Sequence, residues 1–492
     1  MGLLDTSGPA RVTFAEFSPF FESDGLSFDA SGALGTQKSL GDEFTTTGLY
    51  RNASISVGQF HFQSDGYREN NEIETDIING IGTFALSPEF TLFGEYRYRN
   101  SEGGDIPLDF DIGDFDDSVL SDFKRKLARG GFHAQLSPQS DLIGVYTWGK
   151  LGLGSSVDDD FSPKITTTTD VASHGAQIQN IWQSDTLRNI TGVHYVSAET
   201  DTLLTIEGIF ELPESFSTEY FNAYSYLYIN APTAVTWTIG GSVAGYKEDT
   251  PGGADIEKFL PKLGVRAEIA DGLSVRAAYF RSLKPSLVNE QVIEPTAIAG
   301  FNQYFDTSNA AVIDSVGAAL DLQLTKTLMV GAEGVGRKIA VPVGLAPDEE
   351  INERTYRGYA YMTLSDKWAL ASAIMYEDIW SKGGFDFESW QTTSVPVTVS
   401  YFDESGWFGS IGIEFVDHSV KNFGLGGSDM FSPVNATLGY RLPNNRGVMT
   451  IEAQNLLDEE FNFQNRTLRP DITAGPRYAP DLTILARGTF SF

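Results

Sequence analysis

The feature that most constrains this chain is a two-residue period of apolar and polar side chains that recurs along its length. In the C-terminal stretch "DLTILARGTFSF", alternate residues from Leu482 to Phe492 are apolar or glycine, and those between them are mostly polar. The same alternation occurs in "EFTLFGEYRYRN" and "TAVTWTIGGSVAGY". A period of two indicates a β-strand with one face in apolar surroundings, so the chain is predicted to be all-β.

The connections between these segments alternate in length. Short turns such as "RN", "SPE" and "ADG" mostly alternate with longer stretches such as "SEGGDIPLDFDIGDFDDSVL" and "KPSLVNEQVIEPTAIAGFNQYFDTSN". Outer-membrane barrels have short periplasmic turns and long extracellular loops. The pattern therefore predicts a transmembrane antiparallel up-and-down β-barrel of about 22 strands.

Two other all-β architectures fit the connections less well. A soluble sandwich has no reason to sort its loops by length, and a propeller needs a repeated blade motif that the chain lacks. In lipid a sheet cannot leave an open edge, so the last strand is expected to pair with "LSFDASGALG". Several aromatic residues near strand ends fit interfacial girdles, although a soluble β core is the alternative. They are Tyr96, Tyr98, Trp237, Tyr440, Phe490 and Phe492.

One segment does not keep a single phase. In "NASISVGQFHFQ", Ile55 and Val57 fall on the face opposite Phe60 and Phe62. This change of phase predicts either a β-bulge or a stretch that lines the lumen.

Composition excludes several functions. The formal net charge of −32 argues against nucleic-acid binding, which needs a basic surface. The chain has no cysteine, which excludes disulfides and thiolate chemistry. The five histidines are scattered, and no Gly-x-Ser-x-Gly elbow occurs. The chain is therefore not expected to be an enzyme.

Two acidic clusters allow two interpretations. Carboxylates two or three residues apart can bind Ca²⁺, which takes six to eight oxygen ligands. The alternative is a solvated acidic loop or a lid that folds over the pore mouth, because apolar residues are interleaved in the first cluster. The predicted calcium ligands are Asp109, Asp111, Asp114, Asp116, Asp158 and Asp160. No other cofactor is expected.

Five arginines fall on the predicted inner face. In a barrel, lumen residues tune selectivity, so these are candidate substrate contacts. They are equally explained as partners in ordinary cross-strand ion pairs. The five are Arg97, Arg99, Arg276, Arg441 and Arg487.

The C-terminal region resembles the end of TonB-dependent outer-membrane receptors. In that family a penultimate strand runs into the pattern NL.D..F/Y, and the last strand ends on an aromatic residue. The matching positions are Asn455, Leu456, Asp458, Phe461 and Phe492. The resemblance implies an integral protein of the bacterial outer membrane, surrounded by lipid and lipopolysaccharide. It also implies that Phe490 and Phe492 form the signal for the barrel-assembly machinery.

The chain differs from that family at its start. Residues 1–25 are expected to lead into a barrel over 26–492, and about 25 residues are too few for the plug that family members carry. The plug is then missing or supplied elsewhere, unless loops fold inward or the pore is open. The segments "SVGQFHFQSDGYRENN" and "EPTAIAGFNQYFD" look similar to a branch in which the barrel follows a tetratricopeptide-repeat region.

Three functions remain open from the sequence. The first is an uptake transporter barrel of the TonB-dependent type, working with an energy-transducing complex. The second is a plugless export channel for polysaccharide or protein with a periplasmic tetratricopeptide-repeat partner or domain. The third is a surface adhesin or a structural barrel.

Overall fold

The structure is a computed structural model that describes most of the chain. The described residues are 24–158, 163–285, 291–303, 307–344, 346–382, 389–422, 425–464 and 477–492. Nearly all of the predicted N-terminal segment 1–25 therefore lies outside the described residues.

Twenty-five strands account for almost all of the regular structure in the described residues. They are β1 (Gly25–Gly35), β2 (Leu40–Tyr50), β3 (Ala53–Ser64), β4 (Ile73–Ser87), β5 (Phe90–Gly103), β6 (Val119–Ser137), β7 (Ser140–Val157), β8 (Ile165–Gln183), β9 (Leu187–Ile206), β10 (Phe210–Asn230), β11 (Val235–Glu248), β12 (Asp255–Ala270) and β13 (Leu273–Leu283). The others are β14 (Ala297–Ile298), β15 (Phe301–Asn302), β16 (Val312–Thr325), β17 (Leu328–Val343), β18 (Ala346–Thr363), β19 (Trp368–Lys382), β20 (Ser389–Phe402), β21 (Trp407–Asn422), β22 (Leu425–Phe431), β23 (Val434–Arg441), β24 (Gly447–Gln454) and β25 (Thr483–Ser491).

The strands close into one antiparallel barrel, as predicted. Each wall strand pairs with its neighbours in chain order, and β25 pairs with β1 to close the sheet, with Ser31 opposite Thr489. Strands β22 and β23 both pair with β21 and lie end to end along it, so the wall has 22 strands. The break falls at Ser432 and Pro433, where proline has no N–H to donate to the ladder. Strands β14 and β15 form a separate small hairpin.

The two ends of the barrel carry different connections. At the end that holds the C-terminus, the turns are short, as at 51–52, 88–89 and 326–327. At the other end, the connections include 104–118 and 455–482. These ends correspond to the periplasmic and extracellular sides of an outer-membrane barrel, and the predicted alternation of loop length is confirmed.

The outer face of the barrel carries an apolar belt. Ile239, Val243 and Leu263 point outward and are 50%, 58% and 48% exposed, although their side chains are apolar. Aromatic pairs mark the periplasmic edge of the belt, with ring centroids 4.8 Å apart for Trp368 and Tyr401. Exposed apolar side chains all round a closed sheet are what a bilayer requires, so the barrel spans a membrane with its strands. No helix of the described residues is long and apolar enough to cross a membrane.

The structure of strand β3 shows that the predicted β-bulge is wrong and supports the alternative, a stretch that lines the lumen. Its pairing with β2 and β4 runs without a register shift, so the predicted bulge is absent. Ile55 and Val57 face outward, while Phe60 points inward and is only 1% exposed, packed with Ala33 and Ile77. Apolar residues of β3 thus occur on both faces of the strand, because the barrel interior contains an apolar cluster here as well as polar groups.

Candidate functional site

A long connection from the extracellular end folds back into the barrel. The lumen loop, 284–311, joins β13 to β16 and contains the β14–β15 hairpin. Ile298 and Phe301 are 0% and 3% exposed and pack against inner-face residues Tyr226 and Phe280. A side chain added at Gly264, in the periplasmic half of β12, would meet Ala299 at 2.9 Å. The tip of the lumen loop therefore reaches deep into the barrel.

Buried polar groups hold this loop to the wall. The Tyr226 hydroxyl donates to Glu294 Oε1 and accepts from Gln303 Nε2 at 3.2 Å, and Asn222 Nδ2 donates to Glu294 Oε2 at 2.8 Å. Lys262 Nζ donates to Gln303 Oε1 at 2.6 Å. All five side chains belong to residues that are less than 9% exposed. Burial raises the pKa of the Glu294 carboxyl, although the positive charge of Lys262 opposes this rise.

A second loop is folded at the extracellular mouth. The mouth loop, 104–118, joins β5 to β6, and Arg68 of the neighbouring loop organises it. Arg68 Nη2 donates to the carbonyl oxygens of Asp105 at 2.9 Å and Pro107 at 3.0 Å, and Nη1 donates to that of Ile112 at 3.3 Å. Arg68 also pairs with the Asp105 carboxylate at 3.3 Å, and both side chains are less than 10% exposed.

The mouth loop contacts a distant part of the wall. Gln464 Nε2 donates to Asp109 Oδ1 at 3.3 Å, and the Phe110 ring stacks on His418 of β21 with centroids 6.1 Å apart. The shorter way round the wall from β5 to β21 passes through β4, β3, β2, β1, β25, β24 and the β22–β23 strand. The loop therefore bridges the mouth of the barrel, in agreement with the lid interpretation of this acidic segment.

The predicted calcium ligands do not form one group in the described residues. Asp111 Oδ1 accepts from Gly113 N at 2.9 Å, and Asp116 Oδ1 accepts from Ser118 N at 2.9 Å, so both carboxylates make local turns. Asp158 accepts from Lys164 Nζ at 3.1 Å. Asp114 lies in the same turn as Asp111, and Asp160 lies outside the described residues. Calcium binding stays a prediction.

The five predicted lumen arginines lie on four different strands, β5, β13, β23 and β25. Arg97 and Arg99 lie together on β5, and Arg99 faces Arg125 of β6 in the strand register. Arg276 contacts the lumen loop by donating to the carbonyl oxygen of Gly300 at 3.1 Å, and it also donates to Glu333 Oε2 on β17. Arg441 is exposed at the end of β23, and Arg487 is half-buried in the middle of β25.

The arginines on β5 and β6 border a cavity in the extracellular half of the lumen. Both Arg99 and Arg125 lie over the ring of Phe123, at 5.2 and 5.5 Å from its centroid. Phe123 and Arg125 line a vestibule pocket of about 470 Å³. Its wall also includes Phe216, Tyr246, Glu248, Lys284 and residues of the 249–254 loop.

The residues of the family pattern shape the end of the chain. Asn455, which has a φ of 48°, accepts from Glu459 N and donates to Glu459 O, both at 3.0 Å. Asp458 Oδ1 accepts from Leu482 N at 2.9 Å, directly before β25. Phe461 is buried and stacks on Phe431 with centroids 4.2 Å apart, whereas Leu456 is exposed. The pattern thus builds the turn after β24 and positions the closing strand.

Two of the three comparisons with known proteins find nothing. No family model matches the chain, and no curated protein matches it.

Solved structures match the chain over almost its whole length. The copper transporter OprC superposes with a TM-score of 0.74 at 12% identity, over 96% of this chain and 81% of that one. The ferric citrate transporter FecA, in its unliganded form, gives 0.70 at 14% identity, over 96% and 79%. The ferric-catecholate import receptor Fiu from K12 E. coli, in its closed form, gives 0.67 at 12% identity, over 96% and 82%.

These likenesses establish the fold. The neighbours are receptors of the TonB-dependent type, and this chain has the same 22-strand outer-membrane barrel. The expected outer-membrane location is in accord with this fold and with the apolar belt on the outer face. The resemblance stated from the C-terminal residues is thereby confirmed at the level of architecture.

Proposed function

We propose that this chain is an uptake transporter of the TonB-dependent type, which carries a ligand from outside the cell to the periplasm. The observation that carries the proposal is a wide closed barrel whose lumen contains its own loop and whose mouth is bridged by another. A barrel of about 22 strands encloses a lumen that relatives fill with protein, unlike a porin channel. The lumen loop and the mouth loop both occupy space on the path through the barrel, and a gated transporter would rearrange their contacts during passage.

The direction and the partner rest on the structural neighbours. OprC, FecA and Fiu are a copper transporter, a ferric citrate transporter and a ferric-catecholate import receptor. We propose that this chain likewise imports a metal or a metal chelate and is coupled to an energy-transducing complex. Outer-membrane lipid, lipopolysaccharide and the barrel-assembly machinery are the further partners proposed for its outer face and its C-terminal strand.

Energy-dependent accumulation of metal tests this proposal. Cells that express the chain from its full-length gene are given radioactive iron as citrate or catecholate complexes, or radioactive copper, and are compared with cells that lack the gene. The proposal predicts extra accumulation of at least one of these, abolished by a protonophore. Accumulation that a protonophore leaves unchanged would indicate a passive pore, and no accumulation of any of them would contradict metal import.

A further inference from the structure

Three side chains that can bind a metal ion meet on the outer face of the barrel wall. His61 lies on β3, and Glu74 and Asp76 lie on β4. Each side chain offers one ligand atom, and the three atoms lie within 4.8 Å of one another. We propose that this group, the wall triad, binds one divalent transition-metal ion of the Zn²⁺ class. The proposal goes beyond the proposed function, because the wall triad lies outside the lumen.

The strand pattern places the wall triad on the outer face. Ile55 and His61 are an even number of positions apart on β3 and therefore share a face, and Ile55 is an outward residue that is 58% exposed. On β4, Ile78 is 52% exposed and shares its face with Asp76 and Glu74. All three side chains of the triad therefore point away from the lumen.

The wall triad lies at the extracellular edge of the apolar belt. His61 is directly opposite Asp42 of β2 on one side and Asp76 on the other. One outward position nearer to the periplasm, β2 carries Phe44 and β4 carries Ile78, and these apolar side chains are 41% and 52% exposed. The surface thus changes from apolar to charged at the level of His61, where ions from the outer medium meet the barrel.

An open groove beside the triad gives ions access to it. The groove has a volume of about 690 Å³ and is lined by residues of β3 to β8, among them Glu74. The side chain of His61 is 24% exposed and that of Asp76 is 45% exposed. An ion can therefore reach all three ligands without a change in the strands.

The charge around the wall triad favours a cation. Three carboxylates, those of Asp42, Glu74 and Asp76, flank a single imidazole. His61 Nδ1 lies 2.8 Å from Asp76 Oδ1, and Asp42 accepts a hydrogen bond from the Gln59 amide. No lysine or arginine forms an ion pair with these three carboxylates in the part of the chain that the structure describes. Carboxylates that share a site repel one another, and a bound cation removes this repulsion.

The donor set selects the class of ion. Imidazole nitrogen suits Zn²⁺ and its neighbours in the transition series, whereas Ca²⁺ takes six to eight oxygen ligands. Zinc binds histidine nitrogen and carboxylate oxygen at about 2.0–2.2 Å, so its ligand atoms in a tetrahedral site are roughly 3.3 Å apart. The atoms of the wall triad reach that spacing by small side-chain rotations. Three protein ligands leave the fourth position to water.

Zinc titration of the purified full chain in detergent micelles tests the proposal, with a chromophoric chelator as competitor. An excess of Ca²⁺ is present throughout to occupy the other acidic groups of a chain whose net charge is −32. One equivalent of Zn²⁺ should bind under these conditions. His61→Ala should weaken this binding by about tenfold or more, since the loss of a group that only supports a ligand already costs about 10–100-fold in metal affinity. Glu74→Gln should weaken it as well.

Two substitutions outside the wall triad are the controls. His133→Ala removes a histidine that pairs with Asp141 at 2.9 Å but belongs to no such three-residue group among the described residues. Asp122→Asn removes a carboxylate that lines the same groove outside the triad. Both variants should bind Zn²⁺ with unchanged affinity. Heat-modifiable migration on gels verifies that each variant forms the barrel.

A second readout uses the unaltered protein. Diethyl pyrocarbonate modifies exposed imidazoles, and mass spectrometry of peptides gives the rate at each histidine. Zn²⁺ should slow the modification of His61 and leave that of His174, an exposed histidine of β8, unchanged. Ca²⁺ alone should protect neither.

Several results would overturn the zinc site. Complete displacement of Zn²⁺ by Ca²⁺ would indicate a diffuse acidic surface in place of a site. Unchanged zinc affinity in His61→Ala, an equal loss in His133→Ala, or equal protection of His61 and His174 would also contradict it. These results leave metal accumulation in cells as a separate observation, because the wall triad lies outside the lumen.

Discussion

The hydroxyl of Tyr226 on β10 donates a hydrogen bond to the carboxylate of Glu294 in the lumen loop, although 68 positions separate the two residues. Both groups are buried, and the same hydroxyl accepts from Gln303 Nε2. One side chain of the wall thus binds two points of the loop that occupies the lumen. The hairpin within the loop is short, with Ala297 paired to Asn302 and Ile298 to Phe301, so contacts with the wall are expected to fix its position.

Removal of that hydroxyl should loosen the lumen loop. Tyr226→Phe removes the donor to Glu294 Oε1 and one acceptor of Gln303 Nε2, and the loss of a buried hydrogen-bond partner costs about 1–3 kcal/mol. Backbone amide exchange over 291–303 should accelerate, while exchange in the wall strands changes little. Tyr195→Phe is the matched control, since Tyr195 faces outward and donates to the exposed Glu219 at 3.1 Å. Equal exchange in wild type and Tyr226→Phe would contradict the anchoring role.

The anchoring of the lumen loop should weaken as pH rises. Burial raises the pKa of Glu294, so the folded state favours its protonated form more than the unfolded loop does. The resulting stabilisation is fully present below the ordinary carboxyl pKa and is lost as pH rises through the raised value. Exchange over 291–303, corrected for its intrinsic pH dependence, should show this decline in wild type. Glu294→Gln should remove it, and a decline that persists in Glu294→Gln would assign the effect to another group.

The mouth loop should open when Arg68 is replaced. Arg68→Gln breaks a buried ion pair and three hydrogen bonds to loop carbonyls, and breaking a buried pair typically costs about 3–5 kcal/mol. Chymotrypsin added to intact cells should then cleave at Phe110 or Phe115 faster than in wild type. Lys38→Gln is the control, because it removes an ion pair between Lys38 and Asp65 whose two side chains are 83% and 57% exposed. This variant should not change cleavage.

The final residue closes the barrel through its backbone and offers its side chain to lipid. Phe492 N donates to Phe28 O at 2.8 Å, Phe28 N donates to Phe492 O at 3.0 Å, and the Phe492 ring is 76% exposed. Phe492→Asp should lower the amount of heat-modifiable barrel in outer membranes. Phe402→Asp is the control, because Phe402 lies at the same end of the barrel on the inner face of β20. Equal assembly of Phe492→Asp and wild type would contradict the role as assembly signal.

Much of the fold was predictable because it is encoded locally. Strand phase depends on neighbouring residues, and turn length depends on short stretches such as 51–52 and 326–327, so both can be read without distant contacts. The closure of β25 on β1 follows from the requirement that a sheet in lipid leaves no open edge. The motif residues Asn455, Asp458 and Phe461 were identified by resemblance, and their contacts explain why those residue types are used there.

The candidate sites were predictable only in part, since they depend on contacts between distant segments. Alternation placed Arg97 and Arg99 on the inner face, but their juxtaposition with Arg125 requires the register between β5 and β6. Glu294 and Lys262 carry no local signal, because one lies in a loop and the other in an ordinary strand. The segment "FKRKLAR" does carry a local signal for arginines on the inner face of β6. Its alternate residues on that face are Phe123, Arg125, Leu127 and Arg129.

The lumen loop lies inside the barrel against β12, and an engineered disulfide between the two tests this position. The chain has no cysteine, so the pair Gly264→Cys/Ala299→Cys would be the only thiols present. A side chain at Gly264 would lie 2.9 Å from Ala299 Cβ, and a shift of about 1 Å gives disulfide geometry. Oxidation in outer membranes should link this pair, whereas Leu263→Cys/Ala299→Cys, with Leu263 facing lipid, should stay reduced. A folded barrel in which 264 and 299 do not link, or in which both pairs link equally, would contradict the account.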